Sequence, residues 1–307
     1  MYDAVLKEEL TWVTGSRDGA SLDDTSRKNL AGGRSRKTAA TARVFDTGGN
    51  ISEASGTSIF DPVLTELCYW WFCPAKGEIY DPFCGGSVRG LIAAWRGYQY
   101  LGTDLRAEQC AANEAQRALL PDTAPAPQWI VGDSRDALFD GEVDYVFSCP
   151  PYADLERYSD DPRDLSTMRY PEFREQYAAV IKQACSYLRH DRFATFVVGE
   201  CRDKKTGFYY GFVPDTIRAF EAAGLRYYNE TILVTAVGSL SLRAPSQFAA
   251  TRKVGKTHQN ILTFVKGDPR AAAEACGKGT STELELLVKQ CVGRVEAKRL
   301  SKYEEEL

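Results

Sequence analysis

From about Gly77 to Lys266, short apolar runs alternate regularly with longer segments whose apolar residues recur near the helical period. "GEIYD" is followed by "VRGLIAAWRGY", "YQYLGTD" by "LRAEQCAANEAQRALL", and "QWIVGD" leads on to "VDYVFS". The amphipathic "PEFREQYAAVIKQACSYL" precedes the almost wholly apolar "FATFVVGE", and "PDTIRAFEAAG" ends on a glycine suited to stop a helix. "RYYNETILVTAV" and "QNILTFVK" close the series, joined by loop-like residues with no helical pattern. Such alternation buries both faces of a parallel sheet. It predicts an α/β, Rossmann-like fold: a mainly parallel seven-stranded sheet with helices on both faces. The last two strands lack a crossover helix, which predicts an antiparallel strand at an edge.

The flanks are different in kind. Residues 1–50 are polar, glycine-containing and weakly patterned, and read as an arm or cap; 51–267 read as one catalytic domain, and 268–307 as a helical tail. With 307 residues, 44% of them hydrophobic, the chain has ample material for a large core. No apolar run approaches the roughly 18 residues of a membrane span, and "MYDAVLKEELTWVTG" lacks the layout of a signal peptide, so a cytoplasmic protein is expected. The nine cysteines form no C-x-x-C pair and there are two histidines, which gives neither a metal site nor a disulfide framework support. The net charge is −4, yet Thr231 to Gly267 holds five Arg/Lys and no acid. Residues 26–45 hold six and no acid. Basic stripes on an acidic protein suit an anionic partner, and equally a solvated face.

In sheets of this kind ligands bind beyond the carboxyl ends of the strands. Here those ends are acidic in succession: Asp81, followed by Pro82-Phe83-Cys84-Gly85-Gly86; Asp104, after Gly102-Thr103; and Asp133, after Gly132 and before Ser134. Paired glycines let backbone approach a ligand, and Asp104 lies at about the distance along the chain at which a carboxylate meets a ribose. A dinucleotide loop would need G-x-G-x-x-G, which is absent; an acid at position 81 instead suits a ligand with an amino or sulfonium cation. Each end alone reads as turn or cap chemistry.

These residues carry a resemblance. "DPFCGGS" resembles the glycine loop of S-adenosylmethionine-dependent DNA amino-methyltransferases, "SCPPY" their catalytic tetrapeptide, and "TSIFDPVLTELCYWWFCP" the segment that precedes the glycine loop. The order is that of one permutation class of the family, and the whole is similar to solitary methylases encoded by bacteriophages. The resemblance implies a class I methyltransferase sheet and S-adenosylmethionine as cofactor. It also implies DNA as partner, in the cytoplasm of a bacterium or a phage-infected host. It assigns Ser58, Phe60 and Asp61, with Asp81, Phe83, Cys84, Gly85 and Gly86, to the methionine end of the cofactor. Asp104 is assigned to the ribose, and Asp133 with Ser134 to the adenine end.

Ser148, Cys149, Pro150, Pro151 and Tyr152 are then the catalytic stretch. An exocyclic amine is a poor nucleophile because its lone pair is delocalised into the ring. Acceptors for both of its N–H groups would free that lone pair, and a proline pair has no N–H to compete and aims a strand-end carbonyl rigidly. Tyr152 would stack on a base swung out of the duplex. Cys149 departs from the family, whose slot holds Asp, Asn or Ser, and a thiol is a weaker acceptor. It reads as serine-like, which points to cytosine N4, or as a nucleophile for carbon-5 alkylation, or as an inert thiol. Arg243, Arg252, Lys253 and Lys256 are expected to contact DNA from the 237–260 insertion. Adenine N6 as the target, an RNA substrate, an unusual donor derived from the cofactor and an inactive binding protein remain alternatives. The sequence does not reveal the oligomeric state.

Overall fold

The computed structural model describes residues 60–153, 155–235 and 240–277. In chain order these form α1 (Pro62–Phe72), β1 (Glu78–Asp81), α2 (Val88–Trp95), β2 (Gln99–Asp104), α3 (Ala107–Ala115), β3 (Gln128–Val131), β4 (Val143–Ser148), α4 (Tyr170–Tyr187), β5 (Leu188–Val198), α5 (Phe212–Ala222), β6 (Arg226–Val234), α6 (Leu240–Thr251), β7 (His258–Lys266) and α7 (Pro269–Cys276). The seven strands make one sheet of order β3-β2-β1-β4-β5-β7-β6. Pairings β2–β3, β1–β2, β1–β4 and β4–β5 are parallel, and β5–β7 is antiparallel. This is the Rossmann-like, mainly parallel architecture expected from the pattern.

Two details differ from expectation. The antiparallel strand is β7, one position in from the edge, and β6 takes the edge itself. The reason lies in the side chains: the residues Asn260 to Val265 of β7 are all buried, whereas eight of the nine residues of β6 are exposed. The apolar strand occupies the covered position. Secondly, the basic stretch 237–260 is not all loop, since α6 runs through it with Pro245 inside the helix. A proline removes a helix donor and hides such a helix from pattern reading.

The described residues fall into two compact units, 60–232 with 260–277, and 233–259. In the smaller unit Thr235 N–H donates to Thr257 O (2.9 Å), and the Arg252 guanidinium lies 5.1 Å from the Phe248 ring centroid. In the larger unit aromatic residues fill both sides of the sheet. On β4, Tyr145 and Phe147 face α1, where Tyr69 meets Phe147 edge-on at 5.4 Å. Val146, pointing the other way, joins the cluster of Phe173, Tyr177, Phe196, Phe212 and Phe220 under α4 and α5. No helix among the described residues is long and apolar enough to cross a membrane. The described cysteines are all free.

Gly90 tests the packing of α2 on the sheet. A methyl group there would lie 2.7 Å from the Trp129 ring and 3.0 Å from Tyr100. Gly90→Ala gains at most about 1 kcal/mol of helix propensity but overpacks at a cost of about 1–3 kcal/mol. Urea unfolding is expected to show net destabilisation; unchanged or raised stability would mean that the α2–β2 contact is loose.

Candidate active site

At the carboxyl end of β1 the Asp81 side chain is completely buried and receives four donors. Arg89 Nε (2.5 Å) and the Tyr100 hydroxyl (2.9 Å) donate to Oδ2; the Ser148 hydroxyl (2.5 Å) and Phe83 N–H (3.2 Å) donate to Oδ1. Arg89, the sole charge in the apolar α2, sends Nη2 to the carbonyls of Phe83 (2.7 Å) and Cys84 (2.9 Å). Its guanidinium also lies 4.7 Å from the Phe60 ring centroid. Burial alone would weaken its basicity, but Asp81 outweighs that and holds Arg89 firmly protonated. One ion pair therefore joins the end of β1, the glycine loop, Phe60 and, through Ser148, the end of β4.

The loop above this pair is open at its tip. Gly85 has φ +49°, and neither at Gly85 nor at Gly86 would a Cβ meet an atom within 4 Å. Positive φ and free space are the conditions for close approach of a ligand to backbone. Asn113, buried on α3, steadies the loop by donating to Gly85 O (2.7 Å). Cys84 is turned inward: its thiol is buried, its N–H donates to Thr103 O, and its carbonyl is taken by Arg89. Phe83 packs against Tyr177 and Phe196. Asp61 caps α1, its Oδ1 accepting from the N–H groups of Val63 (2.8 Å) and Leu64 (3.1 Å). Ser58 lies outside the described residues.

The other two acidic strand ends differ from each other. Among the described residues Asp104 accepts from the Arg106 N–H (2.9 Å), with Arg106 Nε 3.9 Å away, and burial raises its carboxyl above the ordinary aspartate range against the pull of Arg106 and the Gly85 N–H. It lies beside the open glycines, within the influence of the Gly85 N–H. Asp133 is instead gripped by Arg135 through both oxygens, with Arg135 held by Gln176 (2.5 Å). Burial works to raise its carboxyl, and the Arg135 fork overcomes that to leave it lowered. Ser134 donates to Pro82 O (2.7 Å), so its hydroxyl braces the first turn of the loop.

Beyond Ser148 the chain leaves the sheet through Cys149, Pro150 and Pro151. Cys149 is half-buried, with its sulfur 3.7 Å from the Tyr152 hydroxyl, and burial raises its thiol against the opposing charge of Arg89. The Tyr152 hydroxyl also reaches Val197 O of β5 (3.4 Å), and its ring meets Phe212 edge-on at 5.8 Å. Ala153 then takes φ +49°, a left-handed turn for a residue with a Cβ, costing about 1–2 kcal/mol. Tyr170 is stacked on Tyr210 at 4.2 Å and bonded to Asp215 (2.8 Å). Tyr158 is exposed and bonded to Glu156 (2.9 Å).

Among the residues expected to contact DNA, Arg252 is exposed, and Lys253 and Lys256 are half-buried. The Arg243 side chain is outside the described set. All four belong to the smaller unit. Pattern reading missed Arg89, Tyr100, Asn113 and Arg135. Arg89 was discoverable, as a lone charge in an apolar helix implies a buried partner.

No family model and no curated protein matches the sequence. Among solved structures, a methyltransferase from Pyrococcus furiosus is 14% identical over 70% of this chain and 87% of its own, with a TM-score of 0.46. A putative methyltransferase from Bacillus halodurans is 11% identical over 67% and 99%, with 0.45. A magnesium protoporphyrin IX methyltransferase from Synechocystis, crystallised with bound S-adenosylmethionine, is 13% identical over 63% and 71%, with 0.40. At these scores the fold rests on its own strand order, and the site on its own geometry.

The raised carboxyl of Asp104 carries a sign. An acid whose folded pKa lies above its unfolded value binds more protons when folded, so its contribution to stability falls as pH rises through that window. Asp104→Asn is therefore expected to raise the melting temperature of the unliganded protein at neutral pH, and to flatten its pH dependence just above the ordinary aspartate range. A lowered melting temperature would show that Asp104 is already satisfied.

Proposed function

We propose that the chain is an S-adenosylmethionine-dependent DNA methyltransferase acting on the exocyclic amine of a base swung out of the duplex, specifically N4 of cytosine. The observation that supports this most is the Asp81–Arg89 pair, which brings the open glycine loop and the proline-bearing stretch to one end of the sheet. A loop that admits a nucleoside-bearing cofactor is of use only beside the groups that orient the acceptor.

The residues fit such a cofactor in particular places. Gly85 and Gly86 leave room for its amino-acid end, and the Asp104 carboxylate beside them would accept from ribose hydroxyls. Asp81 does not fit as a direct ligand, because its oxygens are taken by internal donors, and Asp133 is likewise filled by Arg135. Both then position backbone around the ligand. When bound, the cofactor supplies an electrophilic methyl group on sulfur.

The chain supplies orientation. Ser148 is completely buried with its hydroxyl turned to Asp81, so acceptance from the substrate amine falls to carbonyls of the Cys149–Pro150 turn, which the prolines hold rigid. Those hydrogen bonds strengthen as the amine becomes cationic, which favours the transition state over the ground state. Alignment of amine and methyl contributes the rest. Carbon-5 chemistry is disfavoured, because a thiolate nucleophile needs a lowered pKa, while burial raises that of Cys149 and its near polar neighbour is the Tyr152 hydroxyl.

Incubation with cofactor and unmodified DNA, digestion to nucleosides and mass analysis is expected to yield N4-methylcytosine. Cys149→Ser is expected to keep its rate within about tenfold, since an oxygen replaces a sulfur that does not react. A carbon-5 product abolished by Cys149→Ser would make the thiol the nucleophile. No DNA product at all would remove the assignment.

A further inference from the structure

The segment between β5 and α5 forms a tight hairpin. Arg202 bridges Tyr209 in antiparallel fashion, Asp203 N–H donates to Phe208 O (2.9 Å), and Tyr210 N–H donates to Cys201 O (3.0 Å). Gly207 turns with φ +79° and donates to Asp203 O (2.8 Å). The Asp203 carboxylate fixes the tip by accepting from Lys205 N–H (2.7 Å) and the Thr206 hydroxyl (2.8 Å). The Arg202 guanidinium lies 3.6 Å from the Tyr209 ring centroid and donates to Gly207 O (2.9 Å).

This rigid hairpin carries an odd surface. Phe208 is 76% exposed and Tyr209 44% exposed. Residues 202–209 include Arg202, Lys204 and Lys205 and one acid, Asp203. Cations interleaved with exposed rings match a polymer of phosphates and bases. The location agrees. The hairpin leaves β5 just beyond Val197, whose carbonyl meets the Tyr152 hydroxyl. Its base is fastened by Tyr210 stacked on Tyr170 and by Glu200 accepting from Phe212 N–H (2.6 Å), and Phe212 touches the Tyr152 ring.

We infer that the 202–209 hairpin is a DNA-contacting element beside the catalytic stretch, with Phe208 stacking on a base and Arg202 and Lys205 meeting phosphates. The inference rests on the DNA reading above and names a contact that reading does not include. A stacking ring next to the target would also fill space left by an extruded base and lower the cost of extrusion.

The test is equilibrium binding of the full chain to a fluorescent duplex across a salt series, with wild type, Phe208→Ala and Lys205→Ala, and melting curves to confirm folding. Phe208→Ala is expected to weaken binding about 5- to 150-fold, the range for loss of one stacked base. Lys205→Ala is expected to reduce the slope of log affinity against log salt by about 1. Variants that melt and bind like wild type would overturn the hairpin's role, as would a wild type that binds no duplex. If DNA binding depends on the hairpin but no methylated base forms, the hairpin stands and the methyltransferase assignment falls.

Discussion

The arrangement of this site depends on one buried ion pair. Asp81 and Arg89 sit out of water, and removing two charges from water costs several kcal/mol per ion. The cost is offset only because the remaining hydrogen-bonding capacity is filled: Tyr100, Ser148 and the Phe83 N–H complete the carboxylate, and the carbonyls of Phe83 and Cys84 engage the guanidinium. Each partner comes from a different part of the chain. β1, β2, β4, α2 and the glycine loop thus meet at one carboxylate, and a turn that would otherwise fray is fixed where a ligand can approach it.

Rigidity beneath and openness above divide the work of the site. Cys84, Ser134 and Ser148 face inward and shape the backbone, while Gly85 and Gly86 keep free space beside the Asp104 carboxylate. Ala153 carries the backbone cost of turning the chain immediately after Tyr152. Strain of this kind persists only where surrounding contacts over-determine it, and the Tyr152 contacts with Phe212, Val197 and Cys149 supply them.

The sheet was legible in the sequence because strands and helices differ in period, and all seven strands fall where the apolar runs are. The position of β7 was not, since pairing order depends on which strand is better covered, a tertiary property. α6 was hidden by Pro245. The strand-end acids were legible as a set, but their roles were not: nothing in "GEIYD" reveals that Asp81 is saturated, because its side-chain donors lie 8, 19 and 67 residues away along the chain. Asp133 is the opposite case, since its Arg135 partner is two residues away but sits in what its sequence gives as an ordinary turn. The exposed hairpin at 202–209 was passed over because its residues carry no periodicity at all.

The most direct test of the account is a double-mutant cycle between Ser148→Ala and Tyr100→Phe, read as unfolding free energies in urea. These side chains donate to opposite oxygens of Asp81, so any coupling between them passes through that carboxylate. If Asp81 is the shared anchor, the double variant will depart from the sum of the singles by at least about 0.5 kcal/mol. Additivity within that margin would mean that the two strand ends are held independently, and that no single interaction organises the site.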